Sequence, residues 1–478
     1  VQPGMPMQPG ARPMPPRGRV RKPKSKASRI VGAISLVAVC AFFIVAAFAL
    51  VGLGGFAVTY TMAEAMMEAN HADETIVVNT GDADIGDVAY QPITYENTNF
   101  EMEDVDSTAI RDRFVKLRGQ GQDVTTVMIY MNGSDLESNH GMATRDLREI
   151  LGATLSDNVN IVIQTGGTSE WQTDGISGDE AQRFVVKNGA LSLVSDNLGQ
   201  LDLGDPQNLL DFITFCNSNY PANRNMLILW NHGGGVVYGY GHDDTQNDAG
   251  YALTLDEIQA AVRSSNVKFE MIGFDACLMG GVETAYAFYD CADYLIASED
   301  FESGCGWEYQ NWLTVLANNP SIPMRDLGRI IVDDFVKESS YAGADGILTL
   351  VDLRYAAILF YAWTEFAYAT EEDLLSCNYN MSMEGTDRAA KWMGVRFDGL
   401  GNMFDALGNE LSLIEYNNAV DLMALASTLD TPEANTLKTA VSSAIVYSSV
   451  TDSDLNMTGL SVTLPYNDED FYYEMESV

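Results

Sequence analysis

Two short segments of the chain carry residue types that suit nucleophilic catalysis. Residues 230–235 read WNHGGG and residues 274–281 read FDACLMGG, and each follows an apolar, strand-like run. A thiol becomes an effective nucleophile when a base or a positive field favours its thiolate. We therefore take Cys277 as the candidate nucleophile and His232 as its base. The pattern also predicts that a helix begins at Cys277, and the N-terminus of that helix would lower the pKa of the thiol.

The glycines after His232 indicate how such a site would bind a developing oxyanion. They leave backbone N–H groups uncovered, so the amides of Gly233 and Cys277 are the candidate oxyanion donors. Simpler interpretations remain open: Cys277 as a small buried core residue, and His232 as a histidine that stabilises a turn. His242 is the alternative base, although its loop at 241–244 has no strand to position it.

The two motifs belong to an alternating series of strands and helices. Asp205-Pro206 predicts the start of one helix, and the capping box TxxE at 254–257 predicts another. Such alternation is typical of an α/β fold with a mostly parallel sheet and helices on both faces. Because reactive groups in these sheets lie beyond the carboxyl ends of the strands, we expect both motifs at one edge. The predicted strands are 125–131, 158–164, 226–230, 270–274 and 293–298.

Other hydrolytic and nucleotide-binding chemistries lack their signatures. The chain contains no HExxH, no GxSxG and no GxxxxGK[ST]. Acidic residues are too numerous for any pair to indicate glycoside hydrolysis. A cysteine nucleophile needs no metal, so we expect no catalytic metal and no cofactor required for the chemistry.

Charge is distributed unevenly along the chain. Residues 1–29 hold eight of the 27 Lys and Arg residues and none of the 67 acidic ones, so the remainder carries a formal charge of about −48. A surface this negative repels phosphate backbones, which argues against nucleic acid as a partner. It would attract cationic peptides or metal ions.

Residues 30–60 contain no Asp, Glu, Lys, Arg or His. This uncharged run is longer than the roughly 20 residues that a membrane helix needs. The preceding basic cluster places the N-terminus in the cytoplasm and the catalytic part outside, so we expect a single-pass protein of the cell membrane. A cleaved signal peptide, with residues 63–65 as a small-x-small site, is the alternative.

Composition suggests how the chain is divided. Of its six cysteines, Cys40 lies in the apolar run, and the odd number that remains predicts at least one free thiol. We expect a disordered basic tail at 1–29, a transmembrane anchor at 30–60, a stalk or pro-segment at 61–120, a catalytic domain at 121–352 and a C-terminal α/β subdomain at 353–478.

Taken in order, these motifs resemble the clostripain family of cysteine peptidases, which belong to the caspase-like clan. The resemblance extends beyond the His and Cys motifs and covers about residues 121–466. The supporting segments are 130–137 (YMNGSDLE), 227–234 (LILWNHGG), 275–280 (DACLMG), 297–300 (ASED), Gly306-Trp307, Tyr309, 459–461 (GLS) and Pro465.

The resemblance implies a caspase-like sheet and cleavage of protein or peptide substrates after Arg or Lys. His232 and Cys277 match the family's catalytic residues, and Asp275 matches the acid that lines the pocket for a basic side chain. A helix-capping aspartate is the alternative interpretation of Asp275. Calcium activation, as in some family members, is a further expectation, with the acidic loop 243–248 as a weak candidate site. A catalytically silent surface binding module and a different hydrolase on the same scaffold are the alternative functions.

Overall fold

A computed structural model describes the catalytic part of the chain. It covers residues 110–196, 198–245, 253–370, 419–427, 429–451 and 457–463, together with two short strands nearer the N-terminus. The predicted tail and anchor at 1–29 and 30–60 lie outside these residues. Across the described ranges no helix is both long and apolar enough to span a bilayer. The membrane anchor therefore stays a prediction.

Thirteen strands are described in these ranges. They are β1 (Thr75–Ile76), β2 (Ile93–Tyr95), β3 (Thr125–Asn132), β4 (Val159–Gly166), β5 (Gln182–Lys187), β6 (Ala190–Ser195), β7 (Arg224–Trp230), β8 (Phe269–Asp275), β9 (Ala292–Ala297), β10 (Ile347–Asp352), β11 (Ala419–Asp421), β12 (Ile445–Val450) and β13 (Ser461–Thr463). The five strands predicted from apolar runs are confirmed as β3, β4, β7, β8 and β9, each within two residues of its predicted ends.

The α-helices lie between and after the strands. They are α1 (Ser134–Ser138), α2 (Met142–Gly152), α3 (Pro206–Asn219), α4 (Gly235–Tyr238), α5 (Leu255–Ser264), α6 (Val282–Phe288), α7 (Tyr309–Asn318), α8 (Met324–Tyr341), α9 (Ala356–Ala369), α10 (Leu422–Ala426) and α11 (Pro432–Ala444). Local signals place two of them correctly. Asp205 caps α3 by accepting from the N–H of Gln207, and the predicted capping box opens α5.

Eleven strands form one sheet in the order β1-β6-β5-β4-β3-β7-β8-β9-β10-β12-β2. The central strands β4, β3, β7, β8 and β9 are parallel, and the flanking strands are antiparallel. Alternate side chains of a central strand enter opposite cores: Met128 and Tyr130 face α3 and α5, whereas Ile129 and Met131 face α2, α7 and α8. Helices thus cover both faces of the parallel centre, which explains why its strands are apolar without alternation.

Sequence on both sides of the predicted catalytic domain also joins this fold. The segment predicted as a stalk contributes β1 and β2, which pair with β6 and β12 at the two edges of the large sheet. From the C-terminal part, β12 pairs with β10 in the same sheet, while β11 and β13 form a separate two-stranded sheet. Helix α11 ends at Ala444, because the β-branched and aromatic residues 445–447 continue as β12.

Candidate active site

A cleft opens where three neighbouring parallel strands end. Strand register aligns Met131 with Trp230 and Trp230 with Asp275, so β3, β7 and β8 finish at the same level. The loops that follow therefore emerge side by side, as the sequence predicts for such a sheet. His232, Asp275 and Cys277 all line this cleft.

The backbone around Cys277 differs from the predicted helix start. Helix α6 begins only at Val282, five residues further on. Leu278 adopts a left-handed conformation with φ 66°, and the N–H groups of Leu278 and Gly280 donate to carbonyl oxygens of the loop after β9, at 2.9 and 2.6 Å. Because the left-handed conformation of Leu278 is incompatible with a right-handed helix, no helix begins at Cys277. The expected assistance to the Cys277 thiolate from a helix N-terminus is therefore wrong.

The surroundings of the thiol favour its protonated form. Burial raises the pKa of Cys277 to about 12, the negative charge of Glu302 adds to the rise, and the N–H of Glu302, which donates to Sγ at 3.3 Å, opposes it. A thiol with this pKa carries its proton at neutral pH. Nucleophilic attack from this site therefore requires a base that takes the proton as the sulfur reacts.

His232 has a partner that the sequence reasoning did not assign. Its Nε2 lies 2.8 Å from Oδ1 of Asp135, which belongs to α1 just after β3. Burial alone would raise the pKa of Asp135, but the hydrogen bond and the charge of His232 lower it overall. A carboxylate at Nε2 holds the imidazole ring in place and leaves Nδ1 as the nitrogen for proton transfer. The sequence does contain a signal for this contact, because Asp135 lies three residues beyond the end of β3, the strand that neighbours β7.

Asn231 connects the loops that carry these groups. Its Nδ2 donates to the carbonyl oxygens of Asn132 and His242, at 2.8 and 3.0 Å. The side chain of His242, the alternative base, instead pairs with Asp244 at 3.1 Å, and this hydrogen bond raises the pKa of His242. Of the two candidate bases, it is His232 that lines the cleft.

Gly233 lies directly against the nucleophile. A β-carbon at this position would collide with the carbonyl oxygen of Cys277. Gly233 also lies opposite Tyr240 in an antiparallel bridge. The hydrogen bonds of this bridge are made by the residues before and after each of the two, so the amide of Gly233 points away from Tyr240. The two amides predicted as oxyanion donors are thus neighbours, and their role stays a prediction.

Asp275 is buried at the floor of the cleft. Its Oδ2 accepts from the hydroxyl of Tyr309 at 2.8 Å and from the N–H of Trp307 at 3.4 Å. Burial raises the pKa of Asp275 to about 6, although both hydrogen bonds lower it. Two further buried acids, Asp146 and Glu302, line the same cleft and were not singled out from the sequence.

The described cysteines are all free. Cys216 and Cys291 are buried, whereas Cys277 and Cys305 are half-buried. This confirms the expectation of a free thiol. The loop suggested for calcium is described only in part: Asp243 accepts from the N–H groups of Leu203 and Thr245, and residues 246–248 lie outside the described chain. Calcium binding stays a prediction.

Comparison with known proteins gives one family. The sequence model of the clostripain family matches residues 129–460. Clostripain from Hathewaya histolytica is 26% identical over 270 residues, which is 49% of this chain and 49% of that protein. The chain thus spans about half the length of the curated relative that it matches.

Solved structures of C11 proteases share the fold. A secreted C11 cysteine protease from Bacteroides thetaiotaomicron ("iotapain") gives a TM-score of 0.53 at 17% identity, covering 74% of this chain and 97% of that one. An inactive zymogen C11 protease from Parabacteroides distasonis gives 0.51 at 19% identity, covering 74% and 95%. At such identities the likeness concerns the fold alone.

Proposed function

This chain belongs to the clostripain family of cysteine peptidases, and from that premise we propose that it is an endopeptidase that cleaves after Arg or Lys. Cys277 is the nucleophile and His232 its base. The observation that supports this best is the meeting of both side chains in one cleft, at adjacent strand ends, with the buried Asp275. Two separate stretches of sequence converge there on the groups that such a reaction needs.

The reaction follows from the positions of these groups. The sulfur of Cys277 attacks the substrate carbonyl carbon while its proton passes to Nδ1 of His232, and Asp135 stabilises the imidazolium. The oxyanion of the tetrahedral intermediate lies by the amides of Gly233 and Cys277. His232 then protonates the leaving amine as the C–N bond breaks. Water, deprotonated by His232, hydrolyses the thioester and restores the thiol.

Substrate preference is assigned to Asp275. A buried carboxylate at the floor of a narrow cleft favours a long cationic side chain, since an apolar one would leave the carboxylate without a partner. The amide of Trp307 and the hydroxyl of Tyr309 hold Oδ2 of Asp275 in place. The substrates are therefore proteins or peptides with exposed basic residues.

The location is proposed from the sequence alone. The apolar run at 30–60, with basic residues before it, anchors the protein in the cell membrane and places the peptidase on the outer side. Its substrates would then be proteins at or near the cell surface. Activation by calcium belongs to the same proposal and is tested by comparing activity with calcium and with a chelator.

The decisive experiment is an assay of the full chain on matched fluorogenic peptides ending in Arg, Lys, Leu or Asp. We expect turnover only after Arg and Lys, and a loss of about 1,000-fold or more in Cys277→Ala, because no other group supplies the nucleophile. Cys291→Ala is the matched control, since Cys291 is also a free thiol but lies outside the cleft. Persistent turnover in Cys277→Ala would refute the proposal.

One observation favours a second candidate, a binding module that no longer turns over substrate. The thiol of Cys277 has a pKa of about 12 and accepts a hydrogen bond from the loop at Glu302. A silent module would bind Arg peptides without cleaving them, and iodoacetamide would fail to alkylate Cys277. Alkylation of Cys277 in parallel with loss of turnover would exclude it.

A further inference from the structure

The nucleophile loop, residues 277–281, is bonded along its length by the loop after β9. Alternate residues of the β9 loop make these contacts. They run from the Gly280 N–H to the Ser298 carbonyl, from the Leu278 N–H to the Asp300 carbonyl, and from the Glu302 N–H to the Cys277 sulfur, at 2.6, 2.9 and 3.3 Å. Glu299 lies within this series, and its side chain bonds instead to the C-terminal part of the chain.

The C-terminal segment 457–463 holds the nucleophile loop from a second side. The N–H of Ser461 donates to the carbonyl oxygen of Gly280 at 3.0 Å, and Ser461 also pairs with Gly281 in a parallel bridge. A β-carbon on Gly280 would lie 2.5 Å from the backbone nitrogen of Glu299, so the backbones are in direct contact there. The position of Cys277 therefore depends on how the two supporting segments are joined to each other.

Two buried acids, Glu299 and Asp421, join these segments. Glu299 accepts from the N–H of Gly459 at 2.7 Å, and the two carboxyl groups hydrogen-bond to each other. Asp421 also accepts from the N–H of Ala424 at 2.6 Å and from the N–H and hydroxyl of Thr458 at 2.8 and 2.7 Å. An acid that accepts three donors is in its ionised form, and an ionised carboxylate only accepts. The bond between the two acids therefore requires a proton on Glu299.

The surroundings of the two acids favour this single proton. Burial raises the pKa of Glu299 well above its ordinary range, and the charge of Asp421 raises it further. Among the described residues, no Lys or Arg forms an ion pair with either acid. The titratable side chains on the segments packed around them are also acidic: Asp300 and Glu302 on the same loop, and Glu283 on α6. Ionisation of Glu299 would thus replace a hydrogen bond by an unscreened repulsion.

We propose that Glu299 and Asp421 share one proton in a clasp that positions the nucleophile loop, so that loss of this proton in alkaline solution displaces Cys277. Glu299 is thus a positioning residue, which acts on the reaction through the loop. The inference rests on the proposed function, since it concerns the same nucleophile. Because the pKa of Glu299 is raised on folding, the clasp stabilises the fold fully below the ordinary glutamate pKa. This stabilisation declines as the pH rises toward the raised pKa of Glu299.

The first test measures kcat/KM on an Arg peptide from pH 6 to 9.5 in the full chain. Glutamine at position 299 can accept from Gly459 and donate to Asp421, but it cannot lose the proton. Wild type should lose about tenfold at the alkaline end, whereas Glu299→Gln should keep its activity there. Asp334→Asn is the matched control: burial raises the pKa of Asp334 to about 7, but this acid bonds to Asn311 on α7, and the variant should keep the wild-type profile. The same alkaline loss in Glu299→Gln as in wild type would overturn the inference.

A second test does not depend on turnover. Hydrogen exchange of the Leu278 and Gly280 amides, followed by mass spectrometry, reports how firmly the nucleophile loop is held. We expect equal exchange in wild type and Glu299→Gln at pH 6, and about tenfold faster exchange in wild type at pH 9. If the wild type cleaves no peptide yet this pattern holds, the proposed function fails while the clasp stands. Equal exchange of the two proteins at pH 9, or faster exchange in Glu299→Gln at pH 6, contradicts the shared proton.

Discussion

Two acids three residues apart, Glu299 and Glu302, belong to different kinds of buried carboxyl group. Glu299 pairs with Asp421 of the C-terminal sheet, and neighbouring groups supply this pair with donors. The N–H of Gly459 donates to Glu299 at 2.7 Å, and Asp421 accepts from the N–H of Ala424 and from the N–H and hydroxyl of Thr458. Glu302 instead lines the cleft, where burial and the neighbouring charge of Asp275 raise its pKa well above the usual range.

The difference separates a structural role from a binding role. The donors of the Glu299–Asp421 pair come from residues 424 and 457–463, so the pair fastens the small sheet to the loop after β9. The same small sheet supports the nucleophile loop, because the N–H of Ser461 donates to the carbonyl of Gly280 at 3.0 Å. The Glu299–Asp421 pair holds chain segments together outside the cleft, whereas Asp275 and Glu302 line the cleft.

Among the variants that test this difference, Asp275→Asn should cause the largest loss of activity. It removes the charge of the pocket while keeping the shape of the side chain, so kcat/KM for Arg and Lys peptides should fall about 100-fold. The melting temperature should not fall, because the amide oxygen can still accept from Tyr309. Peptide kinetics and thermal melts of the same preparation check both parts. If the variant lost thermal stability together with activity, Asp275 would have a structural role.

Asp421→Ala should show the reverse pattern. It removes the acceptor for three donors and the cap of α10, which should cost about 2–4 kcal/mol of unfolding free energy. The ratio of kcat/KM between Arg and Leu peptides should stay unchanged in the folded fraction. Chemical denaturation measures the first quantity, with the exposed Asp430→Ala as control. If Asp421→Ala left stability intact but changed peptide preference, the two groups would not differ as described.

The smallest effect concerns pH. With a pKa raised to about 6, Asp275 is neutral below that pH and charged above it. The preference for Arg over Leu should therefore be complete near pH 7.5 and fall about tenfold toward pH 5, and effects common to both peptides cancel in the ratio. Asp275→Asn should make the ratio independent of pH. A wild-type ratio that stays constant from pH 5 to 7.5 would mean that the Asp275 charge does not select the substrate.

Several elements were predictable because their signals are local. Strands β7 and β8 are apolar runs buried on both faces, and the caps of α3 and α5 lie within three residues of the groups that they bond. The helix expected at Cys277 was wrong for the opposite reason. The amides of Leu278 and Gly280 bond to the loop after β9, and that competition cannot be read from residues 277–289 themselves.

The sequence by itself determined that His232 and Cys277 follow apolar strands and that glycines surround them. Parallel strands with short reactive loops bring such groups to one edge, so the cleft was predictable. Only the tertiary structure decided which acids complete it. Asp135 reaches His232 across 97 residues and Asp146 reaches Trp230 across 84, and Glu302 comes from a loop beyond the next strand. Contacts at that distance leave no periodic or local pattern, because they depend on strand order and register.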